Sequence, residues 1–286
     1  GSWHSGIAAL QVNPEDGKPL NALGNPWDIT GEDNSGYGKI IATRGSSRWQ
    51  ASEGPEVIYR DGYYYLFLAY GSLSVEYNTR VCRSRNIDGP YVDIHGNSAM
   101  GSAQLYPILT APYRFDNSYG WVGISHCGIF DDGAGNWFYT SQGRFPVNVG
   151  GNEYSNAIMM GHVRSIRWDA NGWPLVMPER YGAVPQAPIT ENEIAGDWEH
   201  LALTNSTGTQ RTSETMTYDL DTHKITSGSW KNATWTFDAA TQTITTSAGV
   251  VLYLQREVDW EASPRTHTIV YAPQGNQKTY WGKKLQ

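Results

Sequence analysis

The chain has 286 residues, 28 acidic and 21 basic, for a formal net charge of −7. That balance excludes a nucleic-acid backbone as partner, which demands clustered Lys and Arg, and no apolar run of about eighteen residues exists to span a membrane as a helix. With 31 Gly, 14 Pro and 36 aromatic residues (12 Trp, 18 Tyr, 6 Phe) and no long 3.6-residue periodicity, the composition predicts an all-β chain of short strands and turns.

In chain order, Asp16 sits in an Asp-Gly turn, and Asp28 and Asp33 lie in a polar loop. The segment Ser52–Tyr70 carries the strongest local signal. Val57–Tyr59 predicts a strand, Arg60-Asp61-Gly62 a hairpin turn, and Tyr63–Tyr70 the return strand. Glu53 then stands on a Gly54-Pro55 turn just before a strand, among aromatic residues. A carboxylate so placed suits proton donation to a sugar oxygen; a solvated turn glutamate is the plainer reading. The pattern recurs. Ser125–Phe130, a turn over 131–136, and Trp137–Gln142 form a second unit. Met160–Trp168, a turn over 169–172, and Trp173–Met177 form a third. Repeated hairpins with Asp/Asn/Gly turns and an aromatic-led return strand are the mark of β-propeller blades.

Cys82 and Cys127 fall in separate strand segments and read as two buried free thiols. No Cys-x-x-Cys or His-Glu-x-x-His spacing suggests zinc. The Asp131-Asp132 pair reads as a turn rather than a metal site. The Pro-spaced stretch Ala183–Thr190 marks a connector, so the predicted units are 1–182, a linker over 183–194, and 195–286. The last is rich in Thr and Ser, with alternating strands at Thr215–Leu220, Ala233–Phe237 and Val250–Leu254, and predicts a small antiparallel barrel or sandwich that caps the first unit.

Three stretches carry a family resemblance: Ala51–Tyr59 with Tyr63–Phe67, Gly120–Cys127, and His162–Pro174 with Pro178–Tyr181. As an ordered set they resemble the arabinanase branch of glycoside hydrolase family 43, and residues 195–286 are similar to the β-barrel domain that follows the propeller in its longer extracellular members. The resemblance implies a five-bladed propeller with a cleft across its face, inverting hydrolysis of α-1,5-linked L-arabinan, and a secreted or periplasmic bacterial protein. Inversion uses an acid on the leaving oxygen and a base on water, roughly 6.5–9.5 Å apart. Glu53 matches the family's general acid. Glu56 is the competitor, and three residues along an extended strand inverts the face, so only one of the two should reach the cleft. His126 matches the histidine beside a hydrated metal, usually calcium, in the central channel; calcium prefers oxygen ligands and would meet His126 through water or at one position. Trp3, Tyr70, Trp121 and Arg144 are the candidate substrate contacts, with Trp49 a further aromatic face; most of the Trp residues are expected in blade cores.

The resemblance also places Gly1 inside the third blade, so that about two and a half blades are expected here. The aspartate base and the aspartate that tunes the acid would then precede Gly1, since Asp16, Asp28 and Asp33 lack the right context, or come from a chain supplying the remaining blades. Two further readings stay open: a related family 43 arabinofuranosidase or β-xylosidase, and a non-catalytic arabinan-binding fragment.

Overall fold

The computed structural model describes residues 6–20, 38–44, 52–101, 104–115, 118–204, 210–275 and 277–286. Trp3, Asp28, Asp33 and Trp49 lie outside them. The protein is all-β, as its composition predicts, with two single-turn 3-10 segments among the described residues, at Ser155–Ala157 and Glu191–Glu193. Among the described residues no helix is long and apolar enough to cross a membrane.

A two-stranded sheet comes first, β1 (Ile7–Ala9) with β2 (Lys39–Ala42). Two four-stranded antiparallel sheets follow, each with its strands in chain order. The first holds β3 (Ser52–Arg60), β4 (Tyr63–Tyr70), β5 (Asn78–Ser84) and β6 (Ile108–Thr110). Between the sheets runs the short β7 (Tyr113–Arg114). The second holds β8 (Gly128–Asp131), β9 (Trp137–Arg144), β10 (Met159–Trp168) and β11 (Pro174–Val176). The hairpin turn between β3 and β4 falls at Asp61 and Gly62, both with positive φ (49° and 81°), the two-residue turn whose twist matches the strands.

The run Tyr63–Tyr70 has no polar face because both faces of its sheet are covered. Tyr65 and Phe67 enter the main core with Val81, Ile108 and Leu175. Leu66, Leu68 and Tyr70 point the other way, onto Ile7, Ile41 and Ala42 of the β1–β2 pair.

The rest of the chain forms one nine-stranded sheet: β12 (Gly196–Leu203), β14 (Glu214–Asp219), β15 (Lys224–Ile225), β16 (Trp235–Asp238), β17 (Thr243–Thr246), β18 (Val251–Asp259), β19 (Thr266–Ala272), β20 (Gln274–Gly275) and β21 (Lys278–Lys284). Its edges meet: Trp235 N donates to His223 O at 2.9 Å and Ile225 N to Ala233 O at 2.8 Å. Curling satisfies backbone groups that an open edge would leave unpaired. The interior holds Trp198, Met216, Trp235, Leu252 and Tyr271.

The stretch 183–194 is a strap rather than a free linker. Gln242 brackets Ile189, accepting from its N–H at 2.6 Å and donating to its carbonyl at 3.1 Å. Arg256 donates to the carbonyls of Ala187 and Pro188 at 2.8 and 3.1 Å. The two halves also share a core, since Leu201, Leu203, Val270 and Trp281 join the cluster built on the four-stranded sheets. Strand β13 (Arg211–Thr212) pairs in parallel with β7 across the same seam.

Two core histidines set a pH dependence. His162 and His200 are each 2% exposed. Burial, reinforced by the Arg164 and Arg180 charges, pushes His162 down to about 2, and burial alone pushes His200 down to about 3. Because these folded values lie below the unfolded one, their stabilisation is complete above about pH 6.5 and is lost as pH falls, by up to about 1.4 kcal/mol per pH unit for each histidine. Neither ring nitrogen of His162 has a hydrogen-bond partner, so an apolar replacement removes an unsatisfied polar group. His162→Leu should keep its stability at pH 7 and lose about half of the histidine-linked slope. Urea unfolding at intervals from pH 7 to 4.5 measures this, and an unchanged slope would contradict it.

Candidate active site

Glu53 is the second residue of β3, and the local backbone there is a bulge. Glu53 pairs with Ala69 and Glu56 with Phe67, so two residues of β3, Gly54 and Pro55, oppose one of β4, Leu68. The Gly54-Pro55 pair is therefore inside the strand rather than a turn ahead of it. The bulge also overturns the expected inversion of faces. Ala69 and Phe67 are two apart on β4, so Glu53 and Glu56 share the face that looks onto the second sheet.

They meet different partners there. Tyr77, fully buried at the start of β5, donates its hydroxyl to Glu53 Oε1. Tyr77 Oη also lies 3.1 Å from His126 Nδ1, and Glu53 Oε1 lies 4.0 Å from the same nitrogen. Tyr77 has one proton, and it is spent on Glu53, so His126 Nδ1 must be the donor in the second bond. That fixes the tautomer and leaves the Nε2 lone pair without a partner among the described residues. The His126 side chain is 59% exposed and that of Glu53 33%. Burial and the Glu53 carboxylate push the Tyr77 phenol far up, so it stays a proton donor. Glu56 is more weakly held, accepting from Ile129 N at 3.5 Å.

The backbone is built around this group. His126 adopts φ 58°, a left-handed conformation that non-glycine residues visit rarely and mainly at functional sites. A Cβ on Gly54, itself at φ 56°, would lie 2.9 Å from His126 Cδ2, so only glycine lets the bulge approach the ring. Beneath, Ser125 Oγ and the Tyr139 hydroxyl each lie 2.7 Å from Thr79 Oγ1, and Thr110 donates to Ile124 O at 2.8 Å. This buried hydroxyl network ties the 124–127 loop to the first sheet.

The remaining predicted contacts separate. Tyr70 is 1% exposed, because its parity turns it toward the β1–β2 pair, where Arg44 lies 4.6 Å from the ring centroid. It is a core residue and not a sugar contact. Trp121 is 6% exposed, stacked on Phe145 at 4.8 Å with the His162 ring edge-on at 4.4 Å, and is likewise packed away. Arg144 is half-buried on the same rim as Tyr77. Its Nη1 donates to Asn156 O at 2.9 Å, while Asn156 Nδ2 donates to Ser74 O at 2.9 Å, locking the loops around the site. Tyr77 was missed in the sequence; nothing in its spacing distinguishes it from the other 17 Tyr. Both cysteines are free and buried, as expected.

Against His126 the structure places the Glu53 carboxylate and the Tyr77 hydroxyl as side-chain oxygens for a metal. Calcium takes roughly six to eight oxygen ligands, so these residues fit a hydrated ion touched at one corner, and not a protein cage. Among the described residues, the group of acidic side chains close enough to hold a cation is elsewhere, at Glu179, Asp259 and Glu261. Lys283 Nζ already fills it, at 3.2, 2.9 and 2.9 Å.

Residues 15–174 match the family described as glycosyl hydrolases family 43. The chain belongs to that family. Residues 178–282 match the C-terminal lipocalin-like domain found in family 43 proteins. The chain is 30% identical over 221 residues to the extracellular endo-α-(1→5)-L-arabinanase 2 of Bacillus subtilis, covering 70% of this chain and 42% of that protein. A Thermotoga petrophila extracellular endo-α-(1→5)-L-arabinanase is similar to the same degree, 30% over 220 residues with the same coverage. The chain thus spans less than half the length of these relatives. Among solved structures, the endo-1,5-α-L-arabinanase of Thermotoga petrophila superposes with a TM-score of 0.79 at 25% identity, covering 100% of this chain and 64% of that one. A family 43 glycoside hydrolase of Bacillus licheniformis gives 0.81 at 24% identity, again with 100% and 64% coverage.

Proposed function

We propose that this chain carries the acid half of an inverting glycosidase that cleaves α-1,5-linked L-arabinan outside the cell. The observation that carries the reading is the Glu53–Tyr77–His126 group: a part-exposed carboxylate at a strand mouth, oriented by a neutral buried phenol and flanked by an exposed imidazole. Family membership and two relatives named as extracellular arabinanases support the substrate and the location.

In this reading the two four-stranded sheets are adjacent blades of a five-bladed propeller and the curled nine-stranded sheet is its accessory barrel, with the strap over 183–194 between them. Glu53, protonated, gives its proton to the oxygen of the leaving arabinosyl unit. Tyr77 keeps donating to the other side of the carboxyl and stabilises the carboxylate left behind. The base that activates water on the opposite face is an aspartate outside the described residues, in chain preceding Gly1 or on a partner supplying further blades. Arg144 and Trp3 remain candidate sugar contacts. A Vibrio xylan 1,3-β-xylosidase, 32% identical over 87 residues, keeps a related pentosidase as the second reading.

The test is hydrolysis of debranched arabinan, by the chain alone and after joining it to the N-terminal segment of an arabinanase relative, with the product anomer followed by NMR. Release of β-configured arabinose ends by the joined protein supports the proposal. Hydrolysis of aryl xylosides in preference to arabinan would replace it. Full activity by the chain alone would put the base inside it, with Asp28 and Asp33 the first positions to change.

The proposal includes a hydrated calcium ion touched by His126 Nε2. Added calcium at 100 times its dissociation constant stabilises a folded protein by about 2.7 kcal/mol. The midpoint of thermal unfolding should therefore rise with calcium, and His126→Ala should abolish the rise. A calcium response that survives His126→Ala would remove this residue from the ion site.

A further inference from the structure

A cavity of about 630 Å³ opens where the second four-stranded sheet, the strap and the nine-stranded sheet meet. That volume is in the usual range for small-ligand pockets. It is far from Glu53: Trp137 on its wall pairs with Asp131, at the other end of β8 from His126. The three steps of extended chain from Gly128 to Asp131 alone separate the two places by roughly 10 Å along the strand.

The wall from the four-stranded sheet is aromatic. Trp137, Phe138 and Trp168 line it with Tyr181, which is 42% exposed and held edge-on to Phe138 at 4.9 Å. The facing wall brings amides, with Gln186 from the strap and Gln242 and Gln255 from the nine-stranded sheet. The hydrogen-bonding groups of the charged side chains at this seam are already engaged. Arg167 donates to the carbonyls of Leu254, Gln242 and Thr241. Glu257, behind Gln255, accepts from Ser165, Gln255 and Gly182. Gln186 and Gln242 are likewise fully bonded to backbone. The polar heads left without partners among the described residues include the Tyr181 hydroxyl, Gln255 Oε1, Asn136 Oδ1 and, buried in the aromatic wall, Trp168 Nε1. A plain seam between packed sheets closes on matched hydrogen bonds or apolar contact; this one keeps an open volume, exposed ring surface and neutral hydrogen-bonding heads.

We infer that this interdomain cavity binds a neutral oligosaccharide, as a second carbohydrate site on the side of the blade away from Glu53. Aromatic surface packs against the C–H faces of a sugar, and amide and phenol heads match its hydroxyls. The donors of Arg167 and the acceptors of Glu257 are already engaged by the protein, which favours a neutral ligand over an anionic one. The site needs both halves of the chain, which gives the C-terminal sheet a role beyond covering the propeller. The inference does not depend on Glu53 performing catalysis.

Gel mobility retardation by dissolved polysaccharide tests it, with linear arabinan, arabinoxylan and mannan as neutral probes and polygalacturonate as the anionic control. The chain should be retarded by at least one neutral polymer and not by the anionic one. Glu53→Gln should be retarded equally. Tyr181→Ala and Gln255→Ala should each weaken retention by about fivefold or more, while Tyr181→Phe retains most of it, because the ring surface stays. Thermal unfolding of each variant separates lost binding from lost fold. No retardation by any neutral polymer overturns the inference, as does retention that survives Tyr181→Ala and Gln255→Ala in folded protein. Retention abolished by Glu53→Gln but not by Tyr181→Ala would place the binding in the cleft and overturn it too.

Discussion

Glu53→Gln should lower turnover on arabinan by about 10²–10⁴-fold, the usual worth of a general acid facing a poor leaving group. Glutamine keeps the shape and can still accept from Tyr77, but has no acidic proton to give. The sharing of one face by Glu53 and Glu56 makes the comparison decisive, since orientation no longer separates them. What does separate them is support: Glu53 is gripped by Tyr77 beside His126, whereas Glu56 has a single long bond from Ile129 N. Glu56→Gln should therefore change turnover by less than tenfold. Tyr77→Phe removes one hydrogen bond to a charged group, worth about 1.5–3 kcal/mol, or about ten- to a hundredfold. These rates are measured on the joined, active protein. If Glu56→Gln proved the crippling change and Glu53→Gln the mild one, the acid would be misassigned.

The sequence makes the repeated hairpins legible because their turns have strict backbone demands. Asp61-Gly62 and the Asp131–Asn136 turn lie where the pattern puts them, and the aromatic-led strands after them follow. Glu53 and His126 are legible through ordered motifs. What stays hidden has three physical causes. The first is the bulge at Gly54-Pro55: one extra residue changes the parity of everything before it, and no local residue type announces the register. The second is coverage. Tyr70 looks like an exposed aromatic at a strand end, yet Ile7 and Ala42, distant in sequence, bury it. The third is long-range assembly. Tyr77 acquires its role only when the 124–127 loop folds over it, and the buried charges around Lys283 are gathered from three separate stretches of chain.

That charge cluster gives the largest expected effect on stability. Lys283 on β21 is 1% exposed. Its ammonium meets Glu179 at 3.2 Å, Asp259 and Glu261 at 2.9 Å, and Glu199 at 3.7 Å. Glu179 follows β11, Glu199 and Asp259 belong to the nine-stranded sheet and Glu261 to the loop after β18, so the lysine clamps the two halves together. Burial, aided by the Glu261 charge, drives the Glu179 carboxyl well up. Burial also acts upward on Glu261, but the Glu179 hydrogen bond and Lys283 outweigh it and hold that carboxyl down. The pair is thus arranged with the proton on Glu179, bonded to an ionised Glu261. Lys283→Met keeps much of the volume and strands the carboxylates without a cation. Breaking a buried pair from one side costs about 3–5 kcal/mol, so urea unfolding at pH 7 should show a loss of that size. Its pH dependence distinguishes charge from packing. Without Lys283 the folded carboxyls bind protons more tightly than the unfolded ones. A folded value raised in this way adds stability below the unfolded carboxyl range of about 4 and loses it as pH rises. The deficit of Lys283→Met against the parent should therefore be small near pH 4 and grow toward pH 7. Adding Glu179→Gln, which keeps a neutral hydrogen-bonding group next to Glu261, should cost little in either background, because the proton already sits on Glu179. A deficit that is constant with pH, or below about 1 kcal/mol at pH 7, would show that the lysine fills space and does not hold the halves together by charge.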